Sequence, residues 1–101
     1  MKDHISVEIH IEKNTSHTLT SLRQEIDQID NVILIALAQR KTVIEKIKSI
    51  KQEQHMEVIQ PARREQVLST LIAKGTHMGI DPNLIKGIWE LIHKWSIAQQ
   101  Q

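Results

Sequence analysis

The chain contains no cysteine, no phenylalanine and no tyrosine, and its only aromatic rings besides histidine are those of Trp89 and Trp95. Without cysteine there is no disulfide framework, no thiolate nucleophile and no thiolate metal ligand. Without Phe or Tyr the core has to be aliphatic, built from Ile, Leu and Val. An excess of one charge is missing too. Thirteen Lys and Arg against twelve Asp and Glu leave a formal net charge of +1, far from the basic surplus that displaces counterions from nucleic acid. No apolar run approaches the roughly 20 residues needed to cross a bilayer. The opening Met-Lys-Asp-His-Ile-Ser-Val-Glu has no uninterrupted apolar stretch of the kind a signal peptide carries. A soluble, cytoplasmic protein with no nucleic-acid and no membrane partner is expected.

Familiar catalytic devices are absent as well. There is no phosphate loop, no nucleophile elbow and no pair of inward carboxylates for acid–base work. His4, His10, His17, His55, His77 and His93 are scattered, with no second ligand at a metal spacing such as i, i+4, so no metal site is expected.

What is present is 101 residues, 40% hydrophobic and 25% charged, enough for one small domain. Residues 1–17 form a leader in which Ile5, Val7, Ile9 and Ile11 alternate with polar residues, the period of a half-buried strand. No second strand follows it, so this leader either pairs with another copy or stays disordered. Residues 18–101 carry helical periodicity.

From about Thr18 to Gln54, Leu19, Leu22, Ile26, Ile29, Ile33, Ala36, Val43, Ile47 and Ile50 recur in steps of three and four, with one break at position 40. No Pro or Gly interrupts this stretch, and Ser21 with Gln24 or Thr18 can cap its start. A helix of that length extends about 50 Å, more than the diameter of a 101-residue globule. One chain cannot cover its apolar stripe, and dimerisation follows.

A second helix is expected from near Pro61, with Val67, Leu68, Leu71 and Ile72 as its apolar face and Gly79 a better stop than Gly75. Asp81 as cap and Pro82 in the first turn then start a third helix, with Ile85, Ile88, Leu91, Ile92 and Trp95 inward. The fold class expected is all-α: a three-helix protomer with one long N-terminal helix, intertwined as a homodimer.

The informative residues are charges in the apolar stripes. Arg40 occupies the place that the spacing reserves for an apolar side chain between Ala36 and Val43. Lys51 follows eleven residues later, which returns to within about 20° of the same direction. Long cationic side chains can cover apolar surface while their heads reach solvent, and a polar residue in a seam can fix register. Two aligned cations with no inward carboxylate between them instead suggest a missing anion. On the third helix Trp89, Ile92, Ser96 and Gln100 share a face, although a helix end that simply turns polar gives the same pattern. Arg63 and Arg64 lie in the first turn of the second helix, where free N–H groups suit an anion; Arg64 with Glu65 equally fits a solvated face. Arg23 differs from Arg40 by about 100° around the helix, so if it serves a site, geometry favours that of the other subunit.

The segment Leu22-Arg23-Gln24-Glu25-Ile26-Asp27-Gln28-Ile29-Asp30 resembles the opening motif of the all-helical chorismate mutases. The resemblance continues through Leu37-Ala38-Gln39-Arg40-Lys41, Lys51, Arg63 and the closing Ser96-Ile97-Ala98-Gln99-Gln100, and covers residues 19 to 101. It implies a three-helix protomer interlocked as a homodimer, and an isomerase of aromatic amino-acid biosynthesis that converts chorismate to prephenate. In this family Arg23 reaches in from the partner subunit, while Arg40, Lys51, Arg63, Ser96 and Gln100 bind substrate in their own chain. By the same resemblance Lys51, Gln100 and Arg40 are expected to carry the catalysis. The reaction is one pericyclic step that needs no cofactor, only a dianionic substrate held in a chair and stabilisation of charge on the ether oxygen.

Two positions depart from the family pattern: Gln60 and Arg64 stand where many members have acidic residues associated with the substrate's ring hydroxyl. Sliding the register by one would pair Arg64 with Glu65 but misplace Val67 and Leu68. These departures keep isochorismate pyruvate lyase, a relative with the same fold, as the alternative. Mutation of 4-amino-4-deoxychorismate ranks behind it, because Arg64 would face an ammonium. From a different class, a non-enzymatic helical dimerisation module leaves the inward Arg40 and Lys51 unexplained.

Overall fold

A computed structural model describes residues 18–101. The leader, with its expected strand, lies outside the described residues. Three helices make up the remainder: α1 Leu19–Glu53, α2 Pro61–His77 and α3 Pro82–Gln100. The chain divides into two units, residues 1–40 and residues 41–101, and α1 runs through the boundary.

Each helix start has a local cause. At α1, the Ser21 N–H donates to Thr18 Oγ1 and the Thr18 N–H donates to Ser21 Oγ, both at 3.1 Å. Two donors that a helix would leave unpaired are thus satisfied reciprocally, a capping box with serine in the acidic residue's usual place. Pro61 and Pro82 open α2 and α3, where a missing N–H costs nothing. Asp81 Oδ1 accepts from the Asn83 N–H at 2.8 Å and caps α3.

The helix ends follow one geometry with two different residues. At α2, the Ile80 N–H reaches Gly75 O at 2.9 Å and the Gly79 N–H reaches Thr76 O at 3.0 Å, with Gly79 at φ 84°. This is the Schellman arrangement, which needs a left-handed residue just past the helix. At α1, the Met56 N–H reaches Lys51 O at 2.8 Å and the His55 N–H reaches Gln52 O at 3.3 Å. His55, at φ 53°, takes the place that glycine holds at α2. A side chain in that region costs roughly 1 kcal/mol.

In the second unit α2 packs on α3. Val67, Leu68, Leu71 and Ile72 are half-buried as the spacing suggests, and Gly75 is buried against the Ile85 side chain. The inward face of α3 is rotated from the expected one. Ile85 is 3% exposed and Ile92 half-buried, but Ile88 is 40%, Leu91 70% and Trp95 37% exposed. The residues that go inside with Ile85 are His93, Ser96 and Gln100. Apolar content alone favours Leu91, whereas the packing of α2 around Ile85 selects the face one step over.

In the first unit, Leu19, Leu22, Ile26, Ile29 and Ile33 lie 37–63% exposed. Among the described residues the buried apolar side chains are Ile44 and Ile85 alone. Two buried apolar side chains, at about 1.5–3 kcal/mol each, cannot offset the entropy of ordering some eighty residues.

Candidate active site

Burying polar side chains costs free energy unless they are hydrogen-bonded, so a helix that turns Ser96 and Gln100 inward must give them partners. Ser96 Oγ donates to Ile92 O one turn back, at 2.8 Å. Gln100 Nε2 donates to Ser96 O at 3.1 Å. Gln100 Oε1 accepts from Lys51 Nζ at 2.6 Å. An ammonium can only donate, which fixes the orientation of the amide: oxygen toward Lys51, nitrogen toward Ser96.

Lys51 sits in the last turn of α1 and is half-buried. Its ammonium makes a second bond, to Val58 O at 2.7 Å. Both acceptors are neutral, and among the described residues the Lys41–Glu45 ion pair of this helix, at 3.7 Å, lies on an exposed side and does not include Lys51. The positive charge of Lys51 is therefore held in place without being neutralised. Of its three N–H donors two are engaged, and one remains. The Gln100 amide likewise keeps one of its two N–H donors. A cation and an amide, each holding an unused donor, are thus fixed beside one another.

Arg63, in the same unit, is not hydrogen-bonded into this cluster. It lies in the first turn of α2, is exposed and donates from Nη1 to Gln66 Oε1 at 3.3 Å on its own helix. In the first unit Arg23 is exposed, while Arg40 is half-buried, and burial lowers its pKa from the ordinary guanidinium value. A guanidinium so far from titration near neutrality stays charged, so this burial maintains a partly dehydrated cation.

Of the two residues that depart from the family pattern, Gln60 and Arg64, the side chain of Gln60 has a local partner. Gln60 Nε2 donates to Glu57 O at 2.7 Å, and Gln60 O accepts from the Arg64 N–H at 3.0 Å, opening α2. Sequence reasoning missed the Val58 carbonyl. A main-chain acceptor has no residue-type signature, so only the path of the α1–α2 loop reveals it.

Three helices, with Lys51, Ser96 and Gln100 drawn together by hydrogen bonds, define a small all-helical fold with a polar, cationic cluster at its helix ends. Comparison with known proteins is in accord: residues 22–101 match the family described as Chorismate mutase type II, and the chain belongs to that family. Among curated relatives, the bifunctional chorismate mutase/prephenate dehydratase of Buchnera aphidicola subsp. Acyrthosiphon pisum (strain APS) is 30% identical over 86 residues, 85% of this chain. The T-protein of Enterobacter agglomerans is 24% identical over 82 residues, 81% of this chain. In both cases the chain spans 22% of the relative's length. No solved structure matches the chain.

Proposed function

We propose that this chain is a chorismate mutase, catalysing the rearrangement of chorismate to prephenate in the cytoplasm as a homodimer whose catalytic domain is residues 18–101. The observation that carries this reading is the Lys51–Gln100 hydrogen bond, which holds an un-neutralised ammonium beside an amide that still has a donor to give.

In the reaction an ether C–O bond breaks as a C–C bond forms, within one molecule, with no proton transferred and no covalent intermediate. The barrier falls when the substrate is held in its compact chair and when negative charge developing on the ether oxygen meets fixed donors. The remaining N–H of Lys51 and that of Gln100 serve this oxygen. Because Val58 O and Ser96 O already hold these groups, little reorganisation accompanies charge development. Arg40, Arg63 and the partner subunit's Arg23 bind the two substrate carboxylates, a task to which forked guanidinium donors are suited. Ser96 completes the substrate contacts.

Dimerisation is supported by the exposed stripe from Leu19 to Ile33 and by the scarcity of buried apolar side chains among the described residues. A second chain laid on that stripe supplies the missing burial.

Incubating the purified protein separately with chorismate and with isochorismate, and identifying the products by NMR, tests the assignment. Prephenate from chorismate is expected. Pyruvate and salicylate from isochorismate, with chorismate untouched, would instead make the protein a lyase, a reading favoured only by Gln60 and Arg64 in place of carboxylates.

A further inference from the structure

We infer that the α1–α2 loop is a positioning element for Lys51, with the Val58 carbonyl holding the ammonium at its working place; this rests on the mutase reading above. Lys51 is tied to the loop at both ends. Its main-chain carbonyl accepts from the Met56 N–H at 2.8 Å, and its Nζ donates to Val58 O at 2.7 Å, seven residues along the chain. Between these two ties the chain reverses at His55, which holds φ 53°.

A lysine side chain has four rotatable bonds and normally loses much rotamer freedom on being fixed. Here one loop anchors both the backbone and the head group. Gln100 Oε1, arriving from α3, supplies the third point. With two N–H donors committed in set directions, the third is directed by tetrahedral geometry. The loop thereby pre-organises the charge rather than leaving the substrate to do so. Val58 is a positioning residue: its carbonyl acts on the reaction through Lys51. The same geometry gives His55 a reason to occupy a left-handed conformation, since the reversal there brings residue 58 back over the helix end.

The test uses the full chain with the amide between Val58 and Ile59 replaced by an ester, which weakens the Val58 carbonyl as an acceptor. The Ile59 N–H lost in the exchange has no hydrogen-bond partner among the described residues. Expected is a kcat on chorismate lower by roughly ten-fold, with KM within about two-fold of the unaltered chain. The same ester placed in a Lys51→Ala chain should cause no further loss, because the carbonyl then has nothing to hold. An equal loss with and without Lys51 would mean that the loop supports the fold and not the ammonium, and would overturn the proposal. Unchanged turnover in the ester protein would do the same.

A second measurement does not depend on turnover. With labelled lysine nitrogen and main-chain carbonyl carbon, NMR should detect a scalar coupling between Lys51 Nζ and the Val58 carbonyl carbon, reduced in the ester protein. No coupling, with a freely rotating Lys51 ammonium, overturns the clamp even if chorismate is turned over. An unaltered protein inert toward chorismate but showing the coupling sinks the mutase reading while leaving the clamp in place.

Discussion

Lys51 and Gln100, 49 residues apart in sequence, are joined by a 2.6 Å hydrogen bond from ammonium to amide oxygen that links the end of α1 to the end of α3. The proposed stabilisation of the ether oxygen passes through this pair, because it converts two separate helix ends into one group of donors.

Replacing that amide with a carboxylate is a sharp probe. In Gln100→Glu the new group lies beside the Lys51 ammonium, which favours the ionised form, so its pKa falls below the ordinary value of about 4.3. At neutral pH it is charged, neutralises Lys51 and repels the developing oxyanion. Activity should therefore be lost by about 10²-fold or more at pH 7 and return only as pH falls through that depressed pKa, where the protonated group again donates. A pH–rate profile over the range in which the protein stays folded checks this; wild type should show no acid-side rise. A variant with the flat profile of wild type would remove Gln100 from the reacting oxygen.

Arg23 and Arg40 are assigned to different active sites of one dimer. Arg23→Ala and Arg40→Ala homodimers should each be nearly inactive. Co-refolded heterodimers should regain one intact site, because both lesions then fall in the other. Activity of isolated heterodimers near half that of wild type is expected, and heterodimers as inactive as both parents would contradict the trans assignment.

Two glycines should respond to alanine with opposite signs. A methyl at Gly75 would collide with the Ile85 side chain, which is 3% exposed and has little room to move. Overpacking outweighs the gain in helix propensity, for a net loss of about 1–2 kcal/mol in Gly75→Ala. At Gly87, inside α3, an added methyl meets nothing within 4 Å, so Gly87→Ala should gain about 0.5–1 kcal/mol. Thermal unfolding at one fixed protein concentration reads both. A stabilised Gly75→Ala would mean that α2 and α3 do not approach as closely as described.

How much of this was legible in the sequence follows from how local each feature is. The starts of α2 and α3 were, because Pro61, and Asp81 with Pro82, act within a few residues of themselves; at α1 the sequence offers Ser21 with Gln24 or Thr18, and the structure pairs Thr18 with Ser21. Gly79 as the stop of α2 was legible for the same reason. The inward face of α3 was only partly legible: Ile85 and Ile92 were expected inside, but so were Ile88, Leu91 and Trp95, which are exposed. Apolarity could not select among adjacent faces of a helix that buries Ser96 and Gln100. Lys51 stands out in the sequence as a cation on an inward face with no inward carboxylate between it and Arg40; its two acceptors in the structure, Val58 O and Gln100 Oε1, are neutral. That Gln100 turns its oxygen to Lys51 could not be read, since the orientation of an amide is set by whichever partner the fold brings to it.

The most direct test of the central claim is steady-state turnover of chorismate by wild type and by Lys51→Ala, with prephenate identified as product. The ether oxygen becomes strongly negative only in the transition state, so removing its cationic donor should lower kcat by about 10²–10³ while KM changes far less. Wild-type protein that leaves chorismate unchanged, or a Lys51→Ala protein that forms prephenate at the wild-type rate, would contradict it.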